Sequence, residues 1–485
     1  MDVIVGGGVV GLSVAWRMAR AGRPVTVVDP APGRGASYAA AGMLAPVSEV
    51  TYTEAPLLRL GVASLRRWPA FAAELAADAG LAGDTGPGPG ARPGPGAVPG
   101  SGAMPGRDSA AGPGSAPGSG AGTRSGGGPG SGDGLRFPEV RGLDLRADGT
   151  LDVAFGADDM AALDELAAYM EKLGLPVERL TGRECRRLEP MLAPSVRGGL
   201  LAPGDAWVDP RRVTAALLAA LERLDVPLVR ARATELLYEG GRVVGVRLAP
   251  PGSEDGPGRQ DLPAHPYTTG PNTTGPDMTD PDATRRGPTR RDATGRETTW
   301  RATTGRDATH RDACPPEVRG ERVVLAAGAW SAELAEVPVR PVKGQIMRLR
   351  SPQPLLSRCV RGTVHGSSVY LVPRGDGELV VGATQEEMGF DTRVTAGGLY
   401  ELLRDARELV PGVTELEVAD VVAGLRPGTP DNLPLIGPGG TPGLAYATGH
   451  HRGGVLLAPL TTAILLGEES ELAALCAPGR FREIS

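Results

Sequence analysis

Asp2-Val3-Ile4-Val5-Gly6-Gly7-Gly8-Val9-Val10-Gly11 opens the chain, an apolar helical pattern continues through Met18, and Val25-Thr26-Val27-Val28 ends on Asp29. This run predicts strand, glycine turn, helix, strand and acid, in that order. Gly6 permits the tight turn, Gly8 lets backbone N–H groups approach a pyrophosphate, and Gly11 lets the helix pack close to the strand. The helix N-terminus then faces the anion with its partial positive charge. Asp29 can accept a hydrogen bond from an adenosine ribose hydroxyl, whereas a 2′-phosphate would meet like charge there. FAD or NAD is therefore favoured over NADP. A glycine turn alone is weak evidence, but the strand before it, the helix after it and the acid at the right distance agree on a dinucleotide site.

The 485 residues suffice for two domains once compositionally biased stretches are set aside. A net charge of −6 gathers neither nucleic acid nor an anionic membrane surface. Cys185, Cys314, Cys359 and Cys476 show no CxxC or metal-ligand spacing and read as ordinary thiols in a reducing compartment. His450 and His451 are adjacent, and adjacent residues rarely aim at one ion without further ligands, so no metal is expected. The apolar start carries Asp2 where a signal peptide has a basic region, and no apolar run is long enough to cross a bilayer. These features predict a soluble cytoplasmic protein without nucleic-acid or membrane partners; they leave a homo-oligomer open.

Two stretches do not read as packed structure. Residues 83–134 are almost wholly Gly, Pro, Ala and Ser, which bury too little apolar surface to offset the entropy of ordering. Residues 251–316 hold a pentad, with threonine at every fifth position from Thr269 to Thr309 and Arg291, Arg296, Arg301, Arg306 and Arg311 two places on. A pentapeptide solenoid needs an apolar residue in each coil and none is present, so disorder is expected. The arginines are interleaved with Asp292, Glu297, Asp307 and Asp312, which dilutes any attraction for polyanions. Both stretches fall at loop tips. The first lies between a helix expected at 57–79 and a strand at 150–155; the second interrupts strand pairing that spans 230–248 and resumes at 322–325.

Four further segments carry more specific information. They are Ser37-Tyr38-Ala39-Ala40-Ala41-Gly42-Met43-Leu44-Ala45-Pro46, Gly382-Ala383-Thr384-Gln385-Glu386, Gly424-Leu425-Arg426-Pro427-Gly428-Thr429 and Gly449-His450-His451-Arg452-Gly453-Gly454-Val455-Leu456-Leu457-Ala458-Pro459. Together with the glycine turn, this set resembles the FAD-dependent D-amino acid oxidase superfamily, and within it the glycine oxidases of thiamine biosynthesis. The resemblance covers the whole chain except the two biased stretches.

The resemblance implies FAD as cofactor and assigns roles. The small residues Ala39 to Gly42, Ala41 among them, would let the backbone lie against the isoalloxazine, where larger side chains collide, with Met43 beside them; a helix cap or packed turn is the alternative. Gly449, His450, Gly453, Gly454 and Val455 would bring a helix, expected at 455–466, to the flavin N1 and C2 carbonyl, where its dipole stabilises the charge of the reduced ring. Otherwise they form a loop that closes the domain. Gly328 resembles a second dinucleotide contact after a returning strand.

Arg426 would grip a substrate carboxylate with two parallel charge-assisted hydrogen bonds and fix Cα–H against flavin N5, held between a strand at 420–423 and a rigid Pro427-Gly428-Thr429-Pro430 turn. Tyr370 resembles the tyrosine that supports this contact, and Arg452 a second arginine near the site; half-buried packing and a structural arginine are the plain alternatives. Ser367 and Ser368 stand where the family can carry a histidine, which puts pocket size in question.

The implied fold class is α/β, a Rossmann-like FAD-binding domain from 1–82, 206–335 and 421–485 joined to a mainly antiparallel substrate sheet from 135–205 and 336–420. The implied reaction takes hydride from a small amino acid to give the imine, then 2-oxo acid and ammonia. Dioxygen would become hydrogen peroxide, and the imine would enter thiazole synthesis. A dehydrogenase passing electrons to another carrier would use the same residues, and a non-catalytic flavoprotein module is a third reading. Glycine, sarcosine and small D-amino acids are the substrates the oxidase reading implies.

Overall fold

Val3 and Ile4 are fully buried, and such uninterrupted apolar strands belong to the middle of a parallel sheet covered on both faces. The computed structural model describes residues 1–49, 54–81, 140–250 and 316–484. The stretches expected to be disordered, 83–134 and all of 251–316 except Pro316, lie outside the described residues, as does Cys314.

The chain begins β1 (Asp2–Val5), α1 (Val9–Arg20), β2 (Val25–Val28), α2 (Ala36–Ala39), β3 (Met43–Leu44), α3 (Ala55–Leu65) and α4 (Trp68–Asp78). From residue 140 follow β4 (Thr150–Ala154), α5 (Ala157–Lys172), β5 (Glu178–Thr181), α6 (Gly182–Leu188), β6 (Gly198–Ala202), β7 (Ala206–Trp207), α7 (Pro210–Arg223), β8 (Leu228–Val229), β9 (Ala233–Glu239) and β10 (Arg242–Leu248). From 316 come β11 (Glu317–Arg319), β12 (Arg322–Leu325), α8 (Ser331–Leu334), β13 (Arg340–Arg350), β14 (Cys359–Val364), β15 (Ser367–Pro373) and β16 (Glu378–Gly382). The chain closes with α9 (Ala396–Leu409), β17 (Glu417–Gly428), β18 (Leu435–Pro438), β19 (Leu444–Thr448) and α10 (Gly454–Leu466).

Six strands form the first sheet in the order β18-β19-β12-β1-β2-β8, parallel except for the β18–β19 pair. Helices α7 and α10 pack against α1 on one face, and the hairpin β9–β10 continues into β11 on the other side. The helix expected over 57–79 is two helices. Pro69 at the start of α4 has no N–H to offer the carbonyl of Leu65 and its ring would collide with the preceding turn, so the chain breaks at Arg66 and Arg67.

The second sheet has eight strands in the order β17-β13-β16-β15-β14-β4-β6-β5, antiparallel except for β14–β4. Its far face is closed by α9, whose Leu402, Ala406 and Leu409 meet Val360, Leu371 and Val381. Strand β17 pairs with β13 from Glu417 to Gly428. The division expected at 421 therefore falls inside a strand of this sheet. The same ladder places Arg426, Pro427 and Gly428 opposite Val342, Pro341 and Arg340, so the expected turn at Pro427 is continuous strand, with the turn beginning after Gly428.

Candidate active site

A cavity of about 460 Å³ opens at the carboxyl ends of β1 and β12 and extends to Tyr370 on β15 and Arg426 on β17. From β1 the first sheet grows to β2 on one side and β12 on the other, and such a switch point is where open α/β sheets bind their ligands.

The glycine turn is shaped by close backbone approach. Gly6 stands at φ +114°, and a Cβ there would lie 2.2 Å from the carbonyl oxygen of Ala326. A Cβ on Gly11 would lie 1.9 Å from the carbonyl oxygen of Gly6. Only glycine fits at these two points. Gly8 borders the cavity at the start of α1, where Val9 N–H donates to Ser37 Oγ at 2.9 Å. Ser37 was given no role by the sequence, and it satisfies one of the donors that α1 leaves unpaired. Asp29 lines the cavity and also ties the turn together, its two oxygens accepting N–H from Gly7 and Ala31 at 2.7 Å each.

Ala41, Gly42 and Met43 line the cavity, held from below by two arginines of the second sheet that the sequence did not single out. Arg374 donates to the carbonyl oxygens of Ala41 and Val208, and Arg348 to that of Ala40 at 3.4 Å while pairing with Glu378. Gly328, His450, Gly454 and Val455 line the remaining wall, whereas Gly11, Gly449 and Gly453 do not line the cavity. The first turn of α10 thus faces the cavity with no side-chain cap. His450 is buried, its Nε2 lies 2.8 Å from Thr461 Oγ1, and burial pushes its pKa down to about 3, so the ring is neutral. The backbone cradle with room for a pyrophosphate and the small-residue wall both fit FAD.

Two strand glycines set the substrate end. A Cβ on Gly344 of β13 would lie 2.4 Å from Nη1 and Nη2 of Arg426, so the guanidinium rests directly over that glycine. A Cβ on Gly382 of β16 would lie 2.5 Å from the hydroxyl oxygen of Tyr370, so the phenol rests over the other. β13 and β16 are neighbours, with Ile346 opposite Gly382, and the two side chains are folded toward each other across the sheet. Nη1 of Arg426 donates to the carbonyl oxygens of Thr384 at 3.1 Å and Lys343 at 3.4 Å. The Thr384 hydroxyl in turn accepts from Gln345 N–H at 2.8 Å and donates to Glu386 at 2.5 Å. Glu386 also lies 3.4 Å from the buried Lys343 ammonium, so the arginine is backed by a connected polar network. Burial raises the Tyr370 pKa to about 12, which keeps the phenol a donor. Arg452 borders the cavity too, but its guanidinium is engaged by Glu54 and by the carbonyl oxygen of Glu49 at 3.3 Å. Ser368 lines the cavity and Ser367 does not; Arg361, Glu49 and Trp330 are lining residues that the sequence reading missed.

Among the described residues no group of three or more His, Cys, Asp or Glu side chains is placed to hold a metal, and no helix is long and apolar enough to cross a membrane. Cys185, Cys359 and Cys476 are free and buried, and burial pushes their thiols up to about 11, 12 and 12. They remain protonated and unreactive at neutral pH.

Comparison with known proteins agrees with this geometry. A family profile described as "FAD dependent oxidoreductase" matches residues 3–85, 136–265 and 287–467. The chain is 28% identical to a glycine oxidase of Geobacillus kaustophilus over 98% of its own length and 94% of that protein. The crystal structure of glycine oxidase from that organism superposes with a TM-score of 0.68 at 25% identity, covering 99% of this chain and 98% of the other. A bifunctional ThiO/ThiG protein of a Nostoc species is 42% identical over 148 residues, 30% of this chain and 23% of the relative, so the match spans under a quarter of that longer protein. With the family match covering well over half of its length and FAD as the cofactor of the cradle it forms, the chain belongs to the FAD-dependent oxidoreductases of the D-amino acid oxidase family.

Proposed function

We propose that the chain oxidises glycine or a similarly small amine or D-amino acid to its imine in the cytoplasm, with dioxygen reduced to hydrogen peroxide and the imine passing to thiazole synthesis for thiamine. The observation that carries this reading is the guanidinium of Arg426 lying over Gly344, facing the phenol of Tyr370 over Gly382, inside the cavity that begins at the glycine turn. The relatives named glycine oxidase and ThiO/ThiG support it.

FAD when bound supplies the acceptance of hydride and its transfer to dioxygen. The residues of the chain bind and orient. Arg426 offers a fork of donors to a carboxylate, and its fixed position against the Thr384 and Lys343 carbonyls limits how far the substrate can swing. The protonated Tyr370 adds a donor to the same group. Small residues from Ala39 to Gly42 leave room for the flat ring to lie against the backbone. No strong protein acid or base is required, because the substrate reacts with its amine neutral.

The test is to purify the protein, record its visible spectrum, and add glycine, sarcosine and D-alanine while following bleaching and peroxide. Arg426→Ala should keep the yellow colour and lose at least about a hundredfold in kcat/KM, the weight of a bidentate charge-assisted contact. Unaltered kinetics would remove Arg426 from substrate binding. Bleaching without peroxide in air would assign a dehydrogenase.

A further inference from the structure

Beyond Tyr370 the cavity continues to an end for which glycine supplies no partner. Arg361 on β14 is the cross-strand neighbour of Tyr370, and Ser368 lies two positions from Tyr370 on the same face of β15. Both line the cavity, as does Glu49 from the segment after β3. Because Tyr370 leans away over Gly382, it leaves the space beside Arg361 open.

The guanidinium of Arg361 uses little of its donor capacity. Its Nε lies 3.4 Å from Asp152 Oδ2 and its Nη2 lies 3.4 Å from Ser368 Oγ, both at the long end of polar contact. Nη1 is buried and donates to no atom among the described residues. Arg361 and Asp152 each expose only 16% of their side chains, so unspent donors here carry a desolvation cost until an acceptor arrives. Asp152 offsets the charge of Arg361, and Glu49 is close enough to act electrostatically on both Arg361 and Tyr370. Arg361 and Glu49 therefore place a cation and an anion at this end of the cavity. A carboxylate would suit Arg361 but meet Glu49; an ammonium would do the reverse. A carboxamide satisfies both, its oxygen accepting from Arg361 and its NH2 donating to Glu49.

We propose that Arg361, Ser368 and Glu49 form a subsite for the carboxamide of a substrate longer than glycine, of which D-asparagine and D-glutamine are the simplest. This rests on the amino-acid reading above, in which Arg426 and Tyr370 hold the carboxylate.

The experiment compares kcat/KM for D-glutamine, D-glutamate and D-alanine on the FAD-loaded protein and on Arg361→Gln and Glu49→Gln. Wild type should prefer D-glutamine to D-alanine, and Arg361→Gln should lower that ratio about tenfold, as expected for one charge-assisted hydrogen bond. Glu49→Gln should raise D-glutamate relative to D-glutamine, a shift of charge preference that lost packing would not produce. A D-glutamine to D-alanine ratio within twofold of wild type in Arg361→Gln overturns the subsite, and so does an unmoved D-glutamate to D-glutamine ratio in Glu49→Gln. If wild type turns over no amino acid, the reaction assignment fails. The subsite is then judged by perturbation of the flavin spectrum on titration with D-glutamine: weakening in Arg361→Gln sustains it and equal titration curves overturn it. Arg361→Lys, which keeps the charge opposite Asp152, serves if Arg361→Gln does not fold.

Discussion

Gly344 and Gly382 leave vacant the space that Arg426 and Tyr370 occupy, and in each case an added methyl would lie within 2.5 Å of the functional group. The atoms displaced would be the ends of side chains rather than backbone, so alanine at either glycine should leave the sheet intact and move the guanidinium or the phenol. Gly344→Ala is expected to raise KM for an amino acid by at least about tenfold with flavin content retained, because small misplacements of a positioning group are costly. Equal loss of flavin and activity would show that the glycine serves folding instead. Arg426 was singled out by its Gly-Leu-Arg-Pro-Gly setting and Tyr370 by its likeness to the family's tyrosine, and both line the cavity. Gly344 was not, although a lone glycine inside an apolar strand signals close approach. What comes close depends on a strand paired across more than seventy residues of sequence, and no local pattern encodes that register. Arg361 escaped although its pairing is local: β14 and β15 form a hairpin that turns at His365 and Gly366, and only that pairing sets Arg361 beside Tyr370.

At the scale of elements, the first turn was legible nearly residue by residue, because strand, glycine spacing and helix are all local. The overlap at Gly11 turns this into an expectation. Gly11→Ala must separate α1 from the β1 turn to clear the Gly6 carbonyl oxygen, at a cost of about 1–3 kcal/mol for overpacking. The variant should melt at lower temperature and purify with less FAD, measured by the ratio of absorbance in the visible and ultraviolet; full flavin content at wild-type stability would refute the packing argument. Two boundaries were read less well, and each has a local cause. Pro69 splits a continuous apolar helical pattern that hides the break, and Pro427 at the end of β17 looked like a turn although it continues the sheet. A proline is tolerated on this strand because β17 is at the edge, where one side of the backbone has no ladder to complete.

For the molecule as a whole, two buried groups act on stability in opposite directions. Burial lowers His450 from 6.5 to about 3, so the unfolded chain takes up a proton that the fold refuses and stability is lost as pH falls through that window. Burial raises Asp205 from 3.8 to about 7, against hydrogen bonds from Ser48 and Val47 that lower it, so the fold retains a proton that the unfolded chain releases and stability is lost as pH rises through that window. Each effect is at most roughly 5 kcal/mol. Relative to wild type, His450→Gln should gain stability as pH falls from 6.5 toward 3, and Asp205→Asn should gain as pH rises from 4 to 7, read from urea midpoints at several pH values. Curves parallel to wild type would show that these groups titrate as they do in the unfolded chain.

The ladder between β10 and β11, extended by Leu248 N–H donating to the Pro316 carbonyl oxygen at 2.8 Å, brings the two sides of residues 251–315 together before that segment begins. To the rest of the molecule this junction is a sealed seam, closed by residues on either side of the segment. It is therefore a natural grafting port. A reporter or affinity module spliced in there, or a short glycine linker in place of the whole stretch, should leave the distant arginine clamp unaware of the exchange.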